Sequence, residues 1–341
     1  MQANPLNTPL PLAAAPMAGG GTTTALASAV VAAGGFAFLA AGYKTPEDVA
    51  AEIETLRAAG DGFGVNLFAP AISPVPQEEF RRYARRLQPE ADAYGLDLSQ
   101  VALREDDDRW ADKLDLLLAD PVPVVSVTFG LPRPAEVRAL RRAGSRVLAT
   151  VTTVAEAAAA AETGADGLVV QGSGAGAHSG THDPYRVVPP TPTDELVRDV
   201  VAVTKLPVLA AGGVDGPEAV ARLLAAGAGA VAVGTLLLRT DECGVSRTHK
   251  DALGDPAFSE TVITRAFTGR PARGLRNAFI DRHDDAAPVG YPAVHHLTRG
   301  LRQAAAAAGD PHRLHLWAGT GYRNARTGPA RAVVEALVRD L

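Results

Sequence analysis

One stretch of the sequence, residues 171–182 (QGSGAGAHSGTH), combines several glycines with two histidines. Each imidazole can take up or release a proton near neutral pH. His178 and His182 lie four residues apart, a spacing that would suit a zinc site if the segment were helical. Gly180 and Pro184 argue against a helix there, so we predict no metal site. The glycines before His178 leave open space beside it, which favours contact between this histidine and a ligand.

The same stretch contains a Gly-x-Gly-x-Gly run, which is part of the fingerprint of dinucleotide-binding proteins. That fingerprint requires a strand before the glycines and a helix that begins directly behind them. A strand is predicted at the right place, but the next helical pattern begins only near Thr193. We therefore reject a Rossmann-type nucleotide site.

Two further glycine-rich turns could hold an anion. The segments 210–220 (AAGGVDGPEAV) and 231–238 (VAVGTLLL) each continue from an apolar run, and a helix should begin after the first, at Asp215 or Gly216. Glycines let backbone N–H groups approach an anion closely, and a helix N-terminus also favours negative charge. The alternative is that these glycines only make tight turns. The residues that would contact a phosphate are Gly212, Gly213, Gly234 and Thr235.

Eight short apolar runs recur along the chain, and helical patterns lie between most of them. The runs are continuous rather than alternating, as expected for parallel strands that are covered on both faces. One helix should begin after its N-cap Thr45 and bury Val49 and Ile53. Another should begin with a capping box of Thr153 and Glu156. Repeated strand–helix units of this kind predict the α/β class and a (β/α)8 TIM barrel. The predicted strands are 12–18, 35–41, 62–68, 122–129, 146–151, 167–171, 207–212 and 230–235.

Two long interruptions break the regular spacing of these units. The gap 69–121 holds extra helical segments, and residues 241–310 separate the eighth predicted strand from the last helix. Functional loops of this fold lie at the C-terminal ends of the strands, so we predict that 241–310 form a lid or small substrate domain over that face. The barrel would then comprise residues 1–240 and 311–341. Candidates to line the lid are Arg270, Arg273, Arg276 and Tyr322.

The composition argues against several functions. The 341-residue chain has a net charge of −5, and its Lys and Arg residues are dispersed, so neither nucleic acid nor an anionic membrane surface is an expected partner. The apolar segment 26–42 contains two adjacent glycines and is preceded by no Lys or Arg, so we do not expect a signal peptide or a membrane span. The single cysteine, Cys243, excludes a disulfide framework and is compatible with the cytoplasmic location that we predict.

In their order along the chain, the motifs resemble those of the nitronate monooxygenase family, formerly the 2-nitropropane dioxygenases, which are flavin enzymes on a (β/α)8 barrel. The resemblance spans nearly the whole chain, and its specificity comes from the order of the motifs. They are APMAGG at 15–20, AGGFAFLAAGY at 33–43, GVNLF at 64–68, QGSGAGAHSG at 171–180, LAAGGV at 209–214, AVGT at 232–235, TGRPARGLRN at 268–277 and LWAGTGYR at 316–323.

The resemblance implies FMN as the cofactor, with the flavin ring against the end of the first strand and the phosphate at the glycine turns of the last two. It also implies that two amide side chains bond the ring or the ribityl chain. The residues predicted to bind FMN are Pro16, Met17, Ala18, Asn66, Gln171, Gly176, Gly212, Gly213, Gly234 and Thr235.

His178 corresponds to the active-site histidine of the family. The implied reaction oxidises an alkyl nitronate or a related small carbon acid, with O2 as the acceptor, to a carbonyl compound and nitrite. The family loop usually reads Glu-Ala-Gly-Gly-His, whereas this chain has Gly174 in place of the glutamate and Ala177 in place of the second glycine. The loss of the carboxylate changes the charge expected near the substrate.

Two other functions are compatible with these motifs. One is an FMN-dependent enoyl-acyl-carrier-protein reductase that uses NAD(P)H, and the other is a flavin-binding protein without activity. A dehydrogenase of the IMP type would need a nucleophilic cysteine in the loop after the sixth strand. That loop contains none, because Cys243 lies beyond the eighth predicted strand.

Overall fold

The computed structural model describes residues 3–70 and 73–339. Eight parallel strands pair in sequence and close into a barrel, which confirms the predicted (β/α)8 fold. Three further strands, β7 (Ala177–His178), β10 (Thr261–Thr264) and β11 (Ala272–Leu275), form a small antiparallel sheet outside the barrel in the order β10-β11-β7. The strands are β1 (Leu12–Ala14), β2 (Phe36–Ala40), β3 (Phe63–Phe68), β4 (Val124–Thr128), β5 (Arg146–Val151), β6 (Gly167–Gln171), β7 (Ala177–His178), β8 (Val208–Ala211), β9 (Ala230–Val233), β10 (Thr261–Thr264) and β11 (Ala272–Leu275).

Helices surround the barrel and continue into the long segment after β9. None of the helices in the described parts of the chain has the length and apolar character needed to cross a bilayer. A cytoplasmic location stays a prediction. The helices are α1 (Thr24–Ala32), α2 (Pro46–Arg57), α3 (Gln77–Asp92), α4 (Trp110–Ala119), α5 (Pro134–Ala143), α6 (Val154–Glu162), α7 (Thr193–Val203), α8 (Pro217–Ala225), α9 (Arg247–Ala252), α10 (Ala278–His283), α11 (Ala293–Ala307) and α12 (Ala330–Leu337).

Local sequence signals explain the βα units well. In α2, Thr45 caps the helix by accepting from the backbone N–H of Asp48, whose carboxylate accepts in return from the N–H of Thr45. Val49 and Ile53 are buried, as their spacing predicts. Every residue of β2 and β3 is also buried, which is why these strands read as continuous apolar runs.

Several strands are shorter than the sequence predicts, and this difference shapes the site. The first strand ends at Ala14 rather than at residue 18, because Met17 and Thr22 exchange hydrogen bonds that turn the chain out of the sheet. The strand β8 ends before Gly212 and Gly213, whose φ angles of 102° and 74° are incompatible with a strand. The residues predicted to bind a ligand therefore lie in loops beyond the strand ends.

A second buried cluster lies beside the barrel core. It joins Phe80, Tyr83 and Leu87 of α3 to residues of the segment after β9, among them Phe279 of α10 and Leu297 of α11. The extra helical material before β4 and the segment after β9 therefore share one apolar core. The division of the chain into a barrel and a lid of residues 241–310 stays a prediction.

Glu90 of α3 connects this helix to two segments that follow the barrel strands. Its carboxylate accepts from Arg282 Nε at 2.7 Å, from His283 Nε2 at 2.9 Å and from Arg313 Nε at 2.6 Å. Burial alone would raise the pKa of Glu90, but the hydrogen bonds from these three cationic or polar groups outweigh it and lower the pKa to about 2. The charged form of Glu90 therefore stabilises the native structure.

We expect Glu90→Gln to lower the free energy of unfolding near neutral pH by about 1–3 kcal/mol, as for lost hydrogen bonds to a charged group. The folded-state pKa lies below the unfolded one, so this stabilisation is complete above the unfolded pKa and is lost as the pH falls toward the folded value. Urea unfolding of both proteins near neutrality and at about pH 3 measures the effect, and the difference should shrink in acid. The exposed pair of Glu335 with Arg331 offers a control, since Glu335→Gln should change stability little. A difference that is the same at both pH values would contradict this role of Glu90.

Candidate active site

A cavity of about 560 Å³ opens at the C-terminal ends of the barrel strands. This is the end at which enzymes with this fold carry their active sites. The structure brings His178 and every residue predicted to bind FMN to this one cavity, although their individual contacts with a ligand stay predictions. The predicted residues that line it are Pro16, Met17, Ala18, Asn66, Gln171, Gly176, His178, Gly212, Gly213, Gly234 and Thr235.

The loops after β8 and β9 form a group of unpaired backbone donors, which we call the phosphate cradle (212–214 and 234–235). Within the described residues, the N–H groups of Gly213, Val214 and Gly234 donate no hydrogen bond to protein. The hydroxyl oxygen of Thr235 accepts from Gly319 N at 2.9 Å, which leaves its proton available to a ligand. Converging donors of this kind at the cavity wall suit an anion such as phosphate.

The stretch 171–182 was predicted as a loop, but it contains the short strand β7. Ala177 and His178 pair with β11, which belongs to the segment after the barrel. The amide of Gln171 also holds this backbone, because its Oε1 accepts from Gly180 N at 2.6 Å and its Nε2 donates to His178 O at 3.3 Å. The backbone at His178 is therefore fixed from both sides.

The imidazole of His178 lies among aromatic rings and bonds one hydroxyl. Its Nε2 is 2.9 Å from Thr268 Oγ1, and either atom can donate in this hydrogen bond. The ring centroids of Phe129, Tyr291 and Trp317 lie 5.6, 5.5 and 5.8 Å from that of His178. These rings pack around the imidazole and restrict its orientation.

Burial lowers the pKa of His178 to about 3, and the nearby positive charges of Arg270 and Arg302 act in the same direction. The imidazole is therefore neutral at physiological pH and can accept a proton. Arg302 keeps its charge, since burial lowers its pKa only to about 10. The two cations that disfavour an imidazolium would stabilise a negative charge formed beside His178.

The charge of the cavity wall favours anionic ligands. Among the described residues that line it there is no Asp or Glu, whereas Arg299 and Arg302 contribute positive charge; the ammonium of Lys44 is paired with Glu52. Within 3–70 and 73–339, no group of three or more His, Cys, Asp or Glu residues is arranged to hold a metal ion.

Comparison with known protein families gives one result for almost the whole chain. A family model described as nitronate monooxygenase matches residues 6–340. The chain belongs to the nitronate monooxygenase family. The resemblance found in the sequence motifs is thereby confirmed, and the protein is an oxidoreductase of this family.

Individual relatives agree with this assignment. A probable nitronate monooxygenase from Staphylococcus aureus is 33% identical over 313 residues, which cover 90% of this chain and 88% of the relative. The solved structure of a nitroalkane oxidase from Streptomyces ansochromogenes is similar with a TM-score of 0.92 and 45% identity, covering 98% of this chain and 96% of that one. FabK from Thermotoga maritima is less similar, with a TM-score of 0.74 and 26% identity over 98% of this chain and 93% of its own.

The structure of this member of the nitronate monooxygenase family leaves little room for a side chain at position 174, where it has no glutamate. A Cβ on Gly174 would lie 2.9 Å from the hydroxyl of Thr320, and one on Gly176 would lie 2.6 Å from Gly319 N. The loop that follows the segment 241–310 thus packs directly on these glycines and fills the space of a larger side chain. Ala177, where the family usually has glycine, adopts a φ of 62°, a left-handed value that costs a residue with a Cβ about 1–2 kcal/mol.

The four residues suggested for the lid do not line the cavity. Arg270 is fully buried behind it, where its guanidinium packs 4.1 Å from the ring centroid of Phe129 and donates to the backbone. Arg273 bonds backbone oxygens, and Arg276 forms exposed ion pairs. The hydroxyl of Tyr322 donates to a carbonyl oxygen at 2.8 Å. Arg276 and Tyr322 are thus structural rather than ligand-facing residues.

Sequence reasoning missed several side chains of the cavity. Phe129 directly follows β4 and Tyr43 lies three residues beyond the end of β2, so the rule that strand ends carry the site could have found them. His295 and Arg302 lie on α11, and no local pattern indicates that this helix packs over the barrel. Their contribution depends on how the segment after β9 folds back.

Proposed function

We propose that the protein is an FMN-dependent enzyme that oxidises an alkyl nitronate, or a related small carbon acid, with O2 as the acceptor. The observation that carries the proposal is the meeting of the phosphate cradle and the neutral His178 in one positively charged cavity. Membership of a family that is generally flavin-dependent supports the same conclusion, as does the similarity to a nitroalkane oxidase.

The residues of the cavity fit FMN. The unpaired amides of the cradle would hold its phosphate, because a Cβ built on Gly213 finds no atom nearer than 3.6 Å and the space beside these donors is open. Asn66 would bond the ring or the ribityl chain. Its Oδ1 accepts from the hydroxyls of Ser126 and Thr128, both at 2.9 Å, which leaves its Nδ2 free to donate to a ligand. Bound FMN supplies the electron-transfer chemistry.

The chain itself provides proton transfer and electrostatic stabilisation. His178 takes the proton from the carbon of a neutral nitroalkane, and Arg302 with the buried Arg270 stabilises the anion that forms. A nitronate arrives already deprotonated and needs only this electrostatic binding. Phe129 and Trp317 exclude water, which strengthens each of these interactions.

Aerobic turnover of ethyl nitronate tests the function. We expect acetaldehyde and nitrite in equal amounts, since one molecule of substrate supplies the carbon of one product and the nitrogen of the other. The same protein stripped of flavin is the matched control and should form neither product. Nitrite formation no faster than in this control would contradict the proposal. Reduction of an enoyl thioester with NADPH would favour the reductase function instead.

A further inference from the structure

The backbone of Tyr43 is strained at the edge of the cavity. Tyr43 follows β2 and has a φ of 68°, in the left-handed region that costs a residue with a Cβ about 1–2 kcal/mol. Strain of this size persists only where the surroundings impose it, and it is concentrated at functional sites. Here the N–H of Tyr43 donates to Asp108 Oδ1 at 2.8 Å, which fixes the strained conformation.

Asp108 is itself held by a buried charge. Lys113 of α4 is 1% exposed, and its Nζ lies 2.7 Å from Asp108 Oδ2 and 2.9 Å from the carbonyl oxygen of Ala41. Burial of an ion pair is costly, and the removal of one partner leaves an uncompensated charge. This pair connects the start of α4 to the turn that carries Tyr43. The turn is therefore fixed by contacts that lie behind the cavity wall.

The hydroxyl of Tyr43 has a proton for which the described residues offer no acceptor. The buried Tyr291 donates its own hydroxyl proton to Tyr43 Oη at 3.1 Å. A phenol carries one proton and can also accept, so Tyr43 can still donate while it accepts from Tyr291. Within the described residues the Tyr43 hydroxyl has no acceptor. Burial raises its pKa to about 12, which keeps it protonated at physiological pH.

The position of Tyr43 directs this proton toward the His178 side of the cavity. The Tyr43 ring lines the cavity and stacks on His295, with centroids 4.2 Å apart and planes 6° from parallel. Tyr291, which donates to the Tyr43 hydroxyl, has its ring centroid 5.5 Å from that of His178. A ligand bound beside His178 could therefore supply the acceptor for the Tyr43 hydroxyl.

We propose that Tyr43 donates a hydrogen bond to an oxygen atom of the substrate oxyanion, and that the pair of Asp108 and Lys113 is the device that positions it. The proposal rests on the proposed function only in its choice of a nitro-type oxyanion as the substrate. His178 then acts at the carbon of the substrate, while Tyr43 fixes one oxygen and so sets the orientation of the molecule.

Nitrate, a planar oxyanion, is the probe, and its binding is measured by isothermal titration calorimetry on the protein as purified. Tyr43→Phe keeps the ring and its stacking on His295 but removes the donor. We expect the Kd for nitrate to rise by about 10- to 100-fold, as for a lost hydrogen bond to a charged acceptor. In the control, Tyr94→Phe removes a hydroxyl that donates to Asp310 at 2.7 Å, away from the cavity, and the Kd should not change.

An unchanged Kd in Tyr43→Phe would overturn the proposal, and so would a wild-type protein that binds no nitrate. Flavin content is determined separately on the same samples. A protein without FMN that still shows the Tyr43 effect would contradict the proposed function but not this inference.

The positioning role of Asp108 is tested in a double-mutant cycle. Asp108→Asn keeps the size of the side chain and an oxygen that can accept from the N–H of Tyr43, but it removes the ion pair with Lys113 that holds the Tyr43 turn in place. We expect weaker nitrate binding in this variant, but little further loss when Tyr43→Phe is added, because both changes remove the same interaction. Losses of affinity that simply multiply would show that Asp108 acts independently of Tyr43 and would contradict its positioning role.

Discussion

His178→Ala is expected to slow flavin reduction by a neutral nitroalkane by about 10²–10⁴-fold, the usual contribution of a positioned acid–base group. The imidazole is held in place by the pairing of β7 with β11 and by its hydrogen bond to Thr268, and it is neutral before a substrate binds, which is the form that a base requires. A preformed nitronate needs no deprotonation, so its reaction should lose much less. Anaerobic stopped-flow measurements with both forms of one substrate separate the two effects.

The control for this variant is His312→Ala, since His312 is exposed and lies outside the cavity. Its rates with both substrate forms should equal those of the wild type. Equal losses with both forms in His178→Ala would indicate that His178 anchors the substrate rather than removes a proton. Unchanged rates would make His178 a structural residue of β7.

The pH dependence gives a second readout of His178. A base works above its pKa, and with a pKa of about 3 the imidazole is unprotonated across the physiological range. The kcat/KM for a neutral nitroalkane should therefore show no fall as the pH drops from about 8 to about 5. A decline centred near the ordinary histidine pKa of 6.5, absent in His178→Ala, would contradict the low pKa.

Gly213→Val is expected to weaken FMN binding by about 100-fold or more. Its side chain would occupy the cradle and separate the phosphate from at least two backbone donors, each worth about 1.5–3 kcal/mol to a charged group. Protein neighbours of a Cβ on Gly213 lie no nearer than 3.6 Å, so the effect should come from the lost ligand space and from the φ of 74°. The FMN content of the purified protein and the Kd of the reconstituted holoenzyme measure this loss.

Gly164 provides a matched control for the backbone strain. Its φ is 84°, a Cβ there meets no atom within 4 Å, and it lies beyond α6 and outside the cavity. Gly164→Val should therefore lose stability through its backbone much as Gly213→Val does, yet keep its FMN. Full flavin content in Gly213→Val would refute the cradle. Equal flavin loss in both variants would trace the effect to stability instead.

The fold could be predicted from the sequence because most of its determinants are local. Continuous apolar runs give the barrel strands, and the N-cap at Thr45 with the buried Val49 gives α2. The position of the cradle glycines at the cavity was also predictable, since the barrel fold places the ends of adjacent strands together. The strand β7 was not, because its pairing partner β11 lies far along the chain, in the segment after the barrel.

Glu156 shows how a tertiary contact overrides a local motif. The sequence predicts a reciprocal capping box with Thr153, and Thr153 Oγ1 does accept from Glu156 N at 3.1 Å. The carboxylate of Glu156, however, accepts from Thr152 N at 2.6 Å and from His182 N at 3.0 Å instead of from the N–H of Thr153. Glu156 thereby holds the loop behind His178, and the local sequence around Glu156 does not predict this contact.

Tyr43 and Arg302 were missed for a related reason. Each side chain acquires its role only when α11 and the loop before α4 fold against the barrel end. Arg270 was a candidate to line the lid, but the structure buries it behind Phe129. The charge of the site therefore depends on the long segment after β9, whose packing the sequence does not specify locally.

The most direct test of the central claim is anaerobic mixing of the purified flavoprotein with three solutions: a nitronate, NADPH and buffer alone. We predict that the flavin absorbance bleaches with the nitronate, recovers when O2 is admitted, and does not change with NADPH or buffer. Bleaching by NADPH and not by the nitronate would contradict the account and favour a nicotinamide-dependent reductase. A flavin that neither donor reduces would instead indicate a flavin-binding protein without this activity.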